Sequence, residues 1–62
     1  MQEDFESQVM YVKAVALGAK DMKGEVVFHL SRNTPPENVQ KLQDVARQIL
    51  GYNRPIKLLS ER

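Results

Sequence analysis

Five basic side chains carry what chemistry the sequence offers. Lys20 and Lys23 lie in Gly18-Ala-Lys-Asp-Met-Lys-Gly24, a segment bounded by glycines, where backbone N–H and ammonium groups together can hold a phosphate. The spacing departs from that of a phosphate-binding loop, which ends in Gly-Lys-Ser/Thr ahead of a helix, and lysines in turns are commonplace. Arg32, Arg54 and Lys57, with Asn33 beside them, stand at the ends of predicted elements. A topology that gathered those ends would give a grip for phosphate or for a partner's carboxylate. Lys20, Lys23, Arg32, Arg54 and Lys57 are therefore the candidates for binding an anion or a nucleotide.

Catalysis finds less support. His29 is the one histidine, and the sequence places no serine, carboxylate or cysteine beside it to make a general base useful. A strand histidine packed in an interface or half exposed is the plainer reading. Tyr11 and Phe28 could stack on bases, as aromatic residues do on open sheets that bind single strands. With two Tyr and two Phe in the chain, most are needed for a core. No cysteine and a single histidine leave no thiolate or histidine-rich metal site within one chain, and no cofactor is implied. A non-enzymatic protein is expected.

Charge adds a modest constraint. Nine Lys+Arg stand against eight Asp+Glu, and Glu3, Asp4 and Glu6 put three of those acids in the first six residues. The remaining body is mildly basic, short of the footprint of strongly basic nucleic-acid modules. The acidic start reads as a solvated tail, although it would also suit docking on a basic partner.

Behind these residues, the pattern predicts a small α+β domain in the order β-β-α-β, with residues 1–7 a frayed acidic start. Residues 8–17 alternate as a strand, with Val9, Tyr11, Val15 and Leu17 on one face and Met10, Val12, Ala14 and Ala16 on the other. Residues 25–31 do the same, Val26, Phe28 and Leu30 opposing Val27 and His29. Two strands so close in sequence pair as an antiparallel hairpin through the glycine-bounded turn.

The spacing predicts a helix over 35–50. Thr34 is its N-cap, Pro35 its first residue, Glu37 stands at the capping-box position, and Gly51 provides the C-terminal cap. Val39, Leu42, Val45, Ala46, Ile49 and Leu50 gather on one face. A short strand at 55–59 closes the chain, and a right-handed crossover sets it beside the first strand, in spatial order 2-1-3.

One helix covers one face of such a sheet, and both strands of the hairpin carry apolar side chains on both faces. A chain of 62 residues without disulfides also draws little stability from its own core. A homo-oligomer, dimer or higher, is the expected remedy, with Met10, Val12, Val27 and His29 at its interface. The absence of cysteine, of a signal segment and of an apolar run of spanning length suits a cytoplasmic protein with no membrane partner.

Two functions follow as expectations. The first is a regulatory or inhibitory protein acting through contact with another protein. The second is a nucleic-acid binder, or an oligomer that sequesters a small nucleotide, using the five basic positions. In size and economy the chain resembles the accessory proteins encoded by bacteriophages and mobile elements, a likeness of genre that rests on no motif and transfers no residue.

Overall fold

The first apolar run is a helix. In a computed structural model, which describes residues 4–60, helix α1 spans Phe5–Ala19, strand β1 Val26–Leu30, helix α2 Pro36–Leu50 and strand β2 Ile56–Ser60. The two strands pair in parallel, Val26 opposite Ile56 and Leu30 opposite Ser60. Parallel neighbours need a long crossover between them, and α2 is that crossover.

Helix α1 starts at Asp4, whose extended backbone lets its carboxylate accept the Ser7 N–H at 2.8 Å. That bond, backed by the Ser7 hydroxyl, holds the Asp4 carboxyl below the usual aspartate range. Phe5, Gln8, Val9, Val12, Ala16 and Ala19 share a helical face, and Gln8, Val12 and Ala16 are buried. The helix closes with the Lys20 N–H on the Leu17 carbonyl. Gly24, at φ +98°, then turns the chain through a region that L side chains rarely adopt.

Both helices serve one sheet face. Val26, Phe28 and Leu30 of β1 join Val12, Ala16, Leu42 and Ala46 in the core, with Ile56 and Leu58 of β2 packed against it. Phe28, Leu42 and Val12 are the largest fully buried side chains, each stabilising the fold by about 1.5–3 kcal/mol through burial. Helix α2 ends at Gly51, whose φ of +91° with ψ 163° lies in a region open essentially to glycine alone.

The predicted three-stranded, mainly antiparallel sheet with one helix and spatial order 2-1-3 is thus replaced by α-β-α-β with two parallel strands. The strand expected at 8–17 is part of α1, and no hairpin joins it to β1. Its alternation of apolar residues fits period 2, but the same residues also satisfy the helical i, i+3, i+4 spacing. Ten residues is long for a strand, while Ala14, Ala16 and Ala19 favour helix. The frayed start is likewise corrected from Asp4 onward, since Asp4 caps α1 and Phe5–Ser7 belong to it. Glu3 lies outside the described residues.

The second predicted strand, the helix and the last strand stand within a residue or so of their observed bounds. The α2 cap moves by one position. Pro35 is the N-cap, and no side chain caps the helix. Thr34 is engaged elsewhere. Its Oγ1 donates to the Ser31 carbonyl at 2.8 Å and accepts from Gln8 Nε2 at 2.8 Å. Gln8 Nε2 also donates to Ser31 Oγ at 2.9 Å. This ties the first turn of α1 to the β1–α2 connection and satisfies a side chain that is only 5% exposed.

Thr34→Val should therefore cost about 1–3 kcal/mol, because a buried amide donor loses its acceptor, whereas Thr34→Ser should stay close to the parent. Denaturant melts at fixed protein concentration measure both, and equal stability of the two variants would contradict the network. The Asp4 cap predicts a pH effect of definite sign. Its folded pKa is depressed, so its contribution is present above the ordinary aspartate pKa and fades as pH falls through the folded value. Asp4→Asn keeps a good cap and should remove that acid dependence from the melting curves.

Candidate functional site

Parallel strands give the molecule two unlike poles. The amino ends of β1 and β2 lie at one, with the loop 20–25 and Arg54. The carboxyl ends lie at the other, with Ser31–Thr34 and Ser60. Helix α1 runs between them, since Gln8 bonds to Ser31 and Thr34 at the second pole and the Ala19 carbonyl accepts from Arg54 at the first.

The five basic candidates are divided between these poles. Arg32 stands at the carboxyl ends, a strand's length of roughly 13 Å from the pole of Lys20, Lys23 and Arg54. Arg54 donates from Nε to the Gly24 carbonyl at 2.6 Å and from Nη1 to the Ala19 carbonyl at 2.9 Å. Its guanidinium is thereby a clamp on the end of α1 and the loop after it, and the planar fork suits two carbonyls at once. Lys20 and Lys23 are exposed at this pole, but Asp21 and Glu25 lie in the same loop and cancel their charge. Lys57, exposed on β2, points to the sheet face that the helices leave uncovered. Arg32 is exposed in the β1–α2 turn, where its carbonyl accepts from Ser60 Oγ at 3.3 Å.

The carboxyl ends of parallel strands are where α/β folds commonly bind ligands. Here that position is filled by the protein's own groups. Besides the Gln8 bonds, Ser31 Oγ and Thr34 Oγ1 lie 3.2 Å apart, and Ser60 Oγ donates to the Ser31 carbonyl at 3.0 Å. Thr34 spends its single hydroxyl proton on that same carbonyl, so the proton of the Ser31–Thr34 bond comes from Ser31. Among the described residues, no buried side-chain polar atom lacks a hydrogen-bond partner. The cluster braces the fold. Gln8, Ser31 and Ser60 carry no sequence signal beyond their polarity, Thr34 signals a helix cap and not this cluster, and Gln8 is masked by the strand-like alternation of its neighbours.

The aromatic candidates are also committed to structure. Phe28 is fully buried under the helices, not on an open stacking face. Tyr11 is half-buried, and its Oη accepts the His29 N–H at 2.9 Å. The Val26 N–H bonds to Pro55 across the strand pair, so the alternating His29 N–H points to the outer edge of β1. Tyr11 therefore shields part of that edge from a further strand.

Of the candidate interface residues, Val12 is corrected outright, being 0% exposed at the centre of the core. Met10 projects from α1, while Val27 and His29 lie on the uncovered sheet face, so the remaining three form no single patch. The geometry shows two separate apolar surfaces. On the sheet face, Val27 stands opposite Lys57 and His29 opposite Leu59, Val27 and Leu59 being half-buried. On the far side of α1, Met10 is 70% and Leu17 61% exposed, with the exposed Ala14 between them.

Among the described residues, no three His, Cys, Asp or Glu side chains are grouped to hold a metal ion, and no helix is long and apolar enough to cross a membrane. Comparison of the chain with family models, curated proteins and solved structures finds no match.

Arg54→Lys should destabilise the protein by about 1–3 kcal/mol, since an ammonium cannot reproduce the two-carbonyl fork. Thermal melts read this directly. A variant as stable as the parent would free Arg54 for the anion-binding role that its hydrogen bonds argue against.

Proposed function

We propose that the protein is a small non-enzymatic binding protein that self-associates and acts through contact with another protein. The observation that supports this is the pair of exposed apolar surfaces on opposite sides of one small core. Parallel sheets occur almost always with both faces covered, and this one is covered on one. A helix apolar on both sides is normally buried on both, and α1 is buried on one.

The uncovered sheet face favours a protein partner. Val27 and Leu59 lie diagonally across it, with Lys57 and His29 on the other diagonal. A partner segment offering aliphatic side chains and a carboxylate placed for Lys57 would complement that chequered surface. Electrostatics of this kind fix register and partner choice more than affinity. The nucleotide or nucleic-acid reading loses support from the division of its basic residues between two poles and from the neutral balance of loop 20–25.

Light scattering at micromolar concentration should give a mass of at least twice the 7.1 kDa of one chain, and anisotropy titration with a DNA duplex at physiological salt should show no binding. A stable monomer would overturn self-association. Tight duplex binding that weakens steeply with salt would overturn the protein-contact reading, above all if Lys20→Gln with Lys23→Gln lowered the log–log salt slope by about two.

A further inference from the structure

The outer side of α1 has the form of a helix-pairing seam. Ser7, Met10, Ala14 and Leu17 follow the alternating three- and four-residue steps of a coiled-coil stripe. At about 100° per residue they lie opposite Val12 and Ala16, which face the core. Met10 and Leu17 are the large apolar members, at 70% and 61% exposure. Ala14, between them, is small enough for another helix to approach closely.

The flanking charges specify what lies on the stripe. Glu6, Lys13 and Lys20 recur every seven residues along one border of it, and the Lys20 backbone is still helical at φ −59°, ψ −39°. A second α1 laid parallel would set this charged border against the other border of its partner, where Tyr11 and Gly18 lie, and leave the three charges without complements. Laid antiparallel and centred near residue 13, it brings Glu6 of each copy to Lys20 of the other. Lys13 then meets its counterpart at the rim, where its long stem covers apolar surface and its ammonium reaches water.

We propose that α1 pairs with α1 of a second copy, antiparallel about a twofold axis near Lys13 and Ala14, so that Met10, Ala14 and Leu17 of the two chains cover each other. This rests on the self-association argued above and names its surface. The sheet face is then left free on the far side of each protomer.

Sedimentation of the full chain, together with cysteine cross-linking in a protein that has no native cysteine, tests the pairing. Leu17→Glu should raise the dimer dissociation constant at least about 100-fold while circular dichroism and melting show a folded protein. Ala14→Cys should form a disulfide-linked dimer under mild oxidation, and Val27→Cys on the sheet face should not. Glu6→Lys and Lys20→Glu should each weaken the dimer, and the two together in one chain should restore it, because the antiparallel charge pairs are then exchanged intact.

Should Leu17→Glu fail to fold, the two cysteine variants decide. Undiminished dimerisation of Leu17→Glu, or cross-linking through Val27→Cys and not Ala14→Cys, would overturn this interface while leaving self-association standing. A parent chain that sediments as a monomer throughout would remove both.

Discussion

Parallel pairing of β1 with β2 is the constraint to which the other elements answer. Two parallel strands cannot be joined by a tight turn, so the chain spends fifteen residues on α2 to return to the same end of the sheet. The crossover covers one face mostly above β2, and α1 is needed to cover the remainder above β1 and to shield its outer edge through Tyr11. The Gln8 network and the Arg54 clamp then fasten α1 at its two ends, one to each pole. Between those two ends α1 is held by apolar contacts and by the Tyr11 hydroxyl on the His29 N–H.

Those fastenings also explain the shortage of reactive groups. A ligand site in a parallel α/β unit is expected where strand carboxyl ends and helix amino ends converge. Here that space holds an amide and three hydroxyls bonded to one another and to the backbone. Toward the opposite pole, Arg54 is likewise spent on two carbonyls and Arg47 donates to the Tyr52 carbonyl. Thr34, Arg47, Arg54 and Ser60 thus secure backbone, and on the proposed reading recognition falls to the apolar surfaces and to the charges beside them.

The sequence made these consequences partly legible. Strand β1 and helix α2 stood out because Val26, Phe28 and Leu30 alternate cleanly and because the Pro-Pro-Glu start and Gly51 end frame an amphipathic run. Helix α1 has the look of a strand in the sequence because its outward side is apolar too. An ordinary surface helix would have shown polar residues at Met10, Ala14 and Leu17, and the period would have been plain. The feature that hid the helix is the same feature that marks its second surface. The expectation of a strand pair apolar on both faces is overturned, since residues 8–17 lie in α1 and Val12 belongs to the core, and the exposed Met10 and Leu17 stand on a helix instead. Arg54 and Gln8 could not have been placed in advance, since their partners lie thirty or more and twenty-three or more residues away.

Size gives the two surfaces a common cause. A chain of 62 residues without cysteine has neither the volume for a deep core nor covalent staples to offset chain entropy. A two-layer unit of one sheet face and two helices buries a few large side chains, with Phe28, Leu42 and Val12 at its centre. Any partner that binds the folded state alone would add stability by mass action. Self-association through α1 would place that support on the helix with the fewest apolar contacts to the sheet's second strand. It would also leave the opposite face of the sheet open, so that assembly and recognition do not compete for the same residues.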